Sequence, residues 1–130
     1  MRADHFAFQV SDLDEALAFY TEKLGLELMF REQDDQHHEA FAFLALEGGN
    51  LELLQILDEH NAPIAARRGE LAPPYCPHLA LATDDLGELA GMLHRRNVPI
   101  VEGPMEIPGK VRWLYIADPD NNVVEFVQWL

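Results

Sequence analysis

The chain has 130 residues, 48% of them hydrophobic, which suits one domain with a buried core. No apolar run approaches the ~20 residues that span a bilayer, and a net charge of −14 opposes binding to nucleic acid or anionic membrane, leaving a cation as the partner most easily accommodated. The single cysteine, Cys76, cannot close an internal disulfide, and Met1-Arg2-Ala3-Asp4-His5 lacks a signal-peptide pattern, so a reducing cytoplasm is the expected location.

The first predicted element is a strand, since His5-Phe6-Ala7-Phe8-Gln9-Val10 alternates between two faces. Asp12-Leu-Asp-Glu15 then reads as a capping box that starts a helix from about Leu13 to Leu24. Ala16, Leu17, Phe19, Tyr20 and Leu24 supply its apolar face, and Gly25 suits a left-handed cap. Strands are predicted near Glu27–Arg31, Ala40–Leu46 and Leu51–Leu57, the last two joined by Gly48-Gly49-Asn50. Residues 58–76 read as a connector in which Pro63 opens a short helix that Pro73-Pro74 stops.

The pattern then repeats. An ungapped shift of 73 (78 − 5) lays residues 5–57 on 78–130 and matches His5 with His78, Asp12 with Asp85, Glu15 with Glu88, Glu52 with Glu125 and Gln55 with Gln128. His78-Leu-Ala-Leu-Ala-Thr83 is the second opening strand, followed by a helix from about Leu86 to Arg96 with Leu89, Ala90, Met92 and Leu93 on its apolar face and Asn97 at its cap. Strands near Val98–Glu102, Val111–Ile116 and Asn122–Trp129 follow, with Gly103-Pro104 and Pro108-Gly109 read as mobile turns. The chain is thus two copies of one β-α-β-β-β module: about 1–57, a connector 58–76, and about 77–130.

The repeat singles out a donor set. Glu52 follows His5 by 47 residues (52 − 5), and Glu125 follows His78 by 47 (125 − 78). Strand parity sets each histidine and its glutamate on the face of the small residues Ala7 and Ala80. Phe6, Phe8, Leu51, Leu53, Leu79, Leu81, Val124 and Phe126 point the other way, toward the helices. Two imidazoles and two carboxylates suit one Zn, Ni, Co, Mn or Fe(II) ion, so His5, Glu52, His78 and Glu125 are the candidate metal ligands.

At these residues the chain resembles the vicinal oxygen chelate superfamily, which includes glyoxalase I, methylmalonyl-CoA epimerase, fosfomycin-resistance enzymes, extradiol dioxygenases and metal-free bleomycin-binding relatives. His5 through Tyr20 looks like the family's opening strand and helix. Lys23-Leu-Gly-Leu-Glu-Leu28 looks like the next turn and strand, and Asp118-Pro-Asp-Asn-Asn-Val-Val-Glu-Phe126 like the final turn and strand. The resemblance implies an α+β fold over residues 1–130, two tandem β-α-β-β-β modules whose curved mixed sheets enclose a metal-binding cleft. Its His, Glu, His, Glu ligand types are most similar to glyoxalase I-like members. Gln9 stands where those usually have an arginine, and Leu53-Leu-Gln-Ile56 lacks their asparagine-tryptophan pattern, which speaks against glutathione as cosubstrate.

The implied activity is that of a lyase or isomerase. The metal chelates a small carbonyl compound and favours an enediolate, with Glu125 or Glu52 as the proton-shuttling base. Lys110 and Arg112, with Gln9, are the candidate substrate contacts, the two cations suggesting a small anionic carbonyl compound. Glu39 is a second-line base; His37-His38, His60, His94 and Arg67-Arg68 read as surface residues, and Cys76 as a passive small residue near His78. The alternatives are a methylmalonyl-CoA-type epimerase, an Fe(II) extradiol-type dioxygenase, and a non-catalytic small-molecule-binding protein of the bleomycin-resistance kind. A homodimer is expected.

Overall fold

A computed structural model describes residues 1–130. It resolves into two compact units, Met1–Arg68 and Gly69–Leu130, so the connector divides between them. No helix is long and apolar enough to cross a membrane.

In the first unit, β1 (His5–Gln9) leads into α1 (Leu13–Ala18), one π-helical turn (Phe19–Lys23), and then β2 (Glu27–Asp34), β3 (Glu39–Ala45) and β4 (Asn50–Ile56). The sheet order is β1-β4-β3-β2, with β1 parallel to β4 and the other pairs antiparallel. The second unit repeats this with β5 (His78–Ala82), α2 (Leu86–Arg95), β6 (Ile100–Ile107), β7 (Val111–Ala117) and β8 (Val123–Trp129). Its order is β5-β8-β7-β6, with β5 parallel to β8. Each is an open mixed sheet with one helix.

The helix starts follow the capping reading. Asp12 Oδ1 accepts from the Glu15 N–H at 3.1 Å, and Asp85 Oδ1 from the Glu88 N–H at 2.9 Å. Gly25 (φ 76°) and Asn97 (φ 57°) take the left-handed conformation after their helices. The first helix departs from a plain α-helix at Phe19. There Thr21 Oγ1 donates to the Leu17 carbonyl at 2.7 Å, the acceptor that an α-helix offers to the Thr21 N–H. The Leu24 N–H reaches back five residues to Phe19 O instead.

Alternation along the strands gives each sheet a covered face and an open face. On β3 and β4, Ala42, Leu44, Leu51 and Leu53 are fully buried, as are Leu13, Ala16 and Tyr20 of the helical segment, and α1 packs on both strands. In the second unit Leu86, Leu93, Leu114, Ile116 and Val124 are buried. At about 1.5–3 kcal/mol for each large apolar side chain, these clusters are the main source of stability.

Three expectations are corrected. Phe6 does not pack away on the edge strand β1; it is 49% exposed, with its ring beside Gly49. No helix starts at Pro63, which bridges to Leu57. Gly103-Pro104 is part of β6, where the register shifts twice between Ile100 and Met105. Gly103 has φ 105°, and a Cβ there would come within 2.9 Å of the Trp113 carbonyl oxygen, so this part of β6 is packed closely against β7.

Candidate functional site

His5 opens β1, and its Nδ1 lies 2.6 Å from Asp4 Oδ1. An ionised carboxylate only accepts, so Nδ1 is the donor in this contact. The ring meets Phe43 edge-on, with centroids 5.0 Å apart and planes at 82°. Glu52 is opposite Ala7 on β1 and Phe43 on β3, half-buried between Leu51 and Leu53, which are fully buried. Its carboxylate makes no hydrogen bond or ion pair within the chain.

The second unit repeats the layout with a tighter pair. The Pro73–Pro77 turn holds Tyr75 at φ 59°, and the Tyr75 carbonyl oxygen lies 3.0 Å from His78 Nδ1. A carbonyl oxygen can only accept, so Nδ1 is the donor here too. Nε2 is 2.7 Å from Glu125 Oε2, and the two side chains are only 21% and 16% exposed. That is hydrogen-bond distance. Tyr115, paired with Glu125, takes the place that Phe43 has beside Glu52. Its ring lies 5.6 Å from His78 and 4.9 Å from Tyr75. Burial, and then the nearby Glu125 charge, raise the Tyr115 phenol above its ordinary value of 10.0.

The second unit thus brings one imidazole and one carboxylate into contact, the first sets His5 and Glu52 on one sheet face, and no group of three or more His, Cys, Asp or Glu side chains that could hold a metal forms in the chain. The expected substrate contacts separate. Gln9 is opposite Leu54, on the face of His5. Lys110 is exposed in the β6–β7 turn. Arg112 alternates with Trp113 and so shares a face with Leu114 and Ile116, away from Glu125, and its Nε pairs with Glu106 at 3.3 Å. Strand parity thus sets Arg112 on the sheet face opposite to that of Glu125. Glu39 is half-buried at the start of β3, on the Phe41 and Phe43 face. His37 pairs with Asp34 at 2.7 Å and His38 with Asn61 at 2.7 Å, while Cys76 is exposed with its Sγ 3.8 Å from His78 Nδ1.

Sequence reasoning missed two features. Gln55 and Gln128, matched by the repeat, are tethers: Gln55 Oε1 accepts from the Leu13 N–H at 2.9 Å and Gln128 Oε1 from the Leu86 N–H at 3.0 Å. Phe43 and Tyr115 were hidden because the ungapped shift sets Phe43 on Ile116. The strand β7 is displaced by 72 from β3 (111 − 39), against 73 elsewhere.

A model of the glyoxalase/bleomycin resistance protein/dioxygenase superfamily matches residues 2–126. The chain belongs to this superfamily. It is 27% identical over 128 residues to the uncharacterized protein YwbC of Bacillus subtilis, covering 98% of this chain and 97% of that one. It is 26% identical over 130 residues to a lactoylglutathione lyase of Escherichia coli O157:H7, covering 98% and 93%. Among solved structures, the antibiotic-binding protein TnmS3 from Streptomyces superposes with a TM-score of 0.70 at 27% identity, covering 100% of this chain and 97% of that one. Catalysts and binders thus share this superfamily fold, and the side chains of the open faces must decide between them.

Proposed function

We propose that this superfamily member is a glyoxalase-like, divalent-metal-dependent lyase or isomerase that moves a proton next to the carbonyl of a small compound. His5, Glu52, His78 and Glu125 are the metal ligands of this reading, in a cytoplasmic homodimer. The observation that carries it is the repeated pair. In both units the imidazole Nδ1 is engaged by an acceptor, and in the second Nε2 is set 2.7 Å from a carboxylate oxygen. Nitrogen and carboxylate oxygen donors fit Zn, Ni, Co, Mn or Fe(II).

With two donors in each unit, a full set needs both pairs, taken from one chain or from two. A bound metal of this kind would supply Lewis-acid polarisation of a carbonyl oxygen. The chain's own residues do the rest. The histidines, fixed by Asp4 and by the Tyr75 carbonyl, orient the site. A glutamate carboxylate takes the proton from the carbon beside the carbonyl and returns it. Glu52 is the freer of the two, since Glu125 is held by His78.

A second reading, a non-catalytic small-molecule binder, is favoured by the 27% identity to TnmS3 and by the absence of a complete ligand cluster. One experiment separates them. The protein is loaded in turn with Ni, Co, Zn and Mn, its metal content is measured, and methylglyoxal with glutathione is supplied while thioester formation is followed. Turnover in the common range of roughly 1–1000 per second establishes lactoylglutathione lyase activity. Bound metal without turnover moves the search to other carbonyl compounds. Failure of all four metals to bind overturns the proposal in favour of the binder.

A further inference from the structure

The open face of the first sheet carries three phenylalanines that folding leaves at least partly exposed. Phe30 is 43% exposed, and Phe41 and Phe43 are half-buried. They form one cluster: Phe30 stacks on Phe43 with centroids 5.0 Å apart at 30°, and Phe41 meets both edge-on at 6.4 and 6.2 Å. Phe43 in turn touches His5, so the cluster runs directly into the His5 and Glu52 pair. Exposed aromatic surface gathered beside a polar pair marks a ligand site, because core packing would have buried it.

Charge narrows the ligand. The eight strands hold only two cationic side chains, Arg31 and Arg112. Arg31, opposite the fully buried Ala42, turns to the helix and pairs with Asp14, and Arg112 pairs with Glu106. On the open face Glu32 is opposite Phe41, and Glu39 and Glu52 lie along the same strand faces. A carboxylate or phosphate on the ligand would meet three like charges and no partner. A neutral ring meets three rings, for which stacked and edge-on contacts are both favourable.

We infer that this face is a subsite for an uncharged aryl group, held on Phe30, Phe41 and Phe43, in a compound whose vicinal oxygens lie at His5 and Glu52. The assignment of the oxygens rests on the function proposed above; the aryl preference rests on the cluster. It differs from the small anionic compound that Lys110 and Arg112 suggest from sequence.

The test is an NMR titration of metal-free and zinc-loaded protein with three probes: 2-hydroxyacetophenone, hydroxyacetone, and phenylglyoxylate. The first should move the ring signals of Phe41 and Phe43 and bind about tenfold or more tightly than hydroxyacetone, which lacks the ring. Phenylglyoxylate, which adds a charge, should bind more weakly than 2-hydroxyacetophenone. Phe30→Ala and Phe41→Ala, at positions that are not fully buried, should each shrink the difference between the aryl and methyl probes. Equal affinities, or tightest binding of the anion, overturn the inference. So does a Phe41→Ala protein that changes from dimer to monomer with unchanged probe binding, since the face would then be a contact between copies. Zinc binding is scored separately with Glu52→Gln: failure of the metal site leaves the ring shifts in metal-free protein still readable.

Discussion

Replacing Gln55 with leucine should loosen the first helix from its sheet. Gln55 is 8% exposed, and its Oε1 is the acceptor for the N–H of Leu13, the first residue of α1. Leucine keeps the volume and removes the acceptor, so a buried donor at a helix start is orphaned. That costs about 1–3 kcal/mol, which the added apolar burial of leucine offsets by up to about 1 kcal/mol. A net loss of about 1–2 kcal/mol corresponds to a fall in Tm of roughly 3–8 °C for a chain of this length. Gln128 makes the same bond to Leu86 at 3.0 Å in a half-buried setting, where water can replace the lost acceptor, so Gln128→Leu should cost less. Thermal unfolding followed by circular dichroism reads both variants. A Gln55→Leu protein as stable as the parent, or a larger loss at Gln128, would refute the view that these glutamines tether helix to sheet.

Asp58→Asn should flatten the acid limb of the stability curve. The N–H groups of Ala62 and His60 hold the Asp58 carboxyl below its ordinary 3.8. A depressed folded-state value adds stability that is present above 3.8 and lost as the pH falls through the lower value. Tm measured from about pH 5 to pH 2 should therefore fall less steeply in the variant, and identical slopes would exclude the effect. Asp85→Ala removes the cap on the Glu88 N–H and should cost α2 about 0.5–2 kcal/mol in urea titrations, with Asp85→Asn close to the parent; equal losses would deny the capping role. Light scattering at tens of micromolar should give the mass of two chains, and mixing His5→Ala with His78→Ala protein should restore metal binding if the donor pairs meet across the dimer. Recovery of none would place each site within a single chain.

Much of this fold was legible in residue order because the chain states it twice. The paired Asp-Leu-x-Glu segments located both helices, and alternation from Asn50 to Ile56 and from Val123 to Trp129 located the strands and the glutamate faces. What escaped depends on contacts that periodicity does not carry. At the π-helical turn one hydroxyl, Thr21, reaches a carbonyl four residues back. The length of β6 follows from Gly103 fitting against the backbone of Trp113 and Leu114. At the site, the histidine and glutamate positions could be read from spacing, but the groups that fix the imidazoles could not. One is the neighbouring carboxylate of Asp4 and the other a backbone carbonyl in a turn. The parity of Arg112 against Trp113 and Tyr115, and not its nearness along the chain to the final hairpin, sets which face it takes.

The central claim, that the two histidine–glutamate pairs together hold one metal, is tested most directly by metal stoichiometry. Zinc-loaded protein, dialysed and analysed by mass spectrometry, should carry about one ion per chain. His5→Ala, Glu52→Ala, His78→Ala and Glu125→Ala should each fall well below that value. Glu106→Ala, whose carboxylate pairs with Arg112 on the other side of the sheet, should match the parent. Undiminished zinc in all four ligand variants, or equal loss in the Glu106 control, would contradict the account.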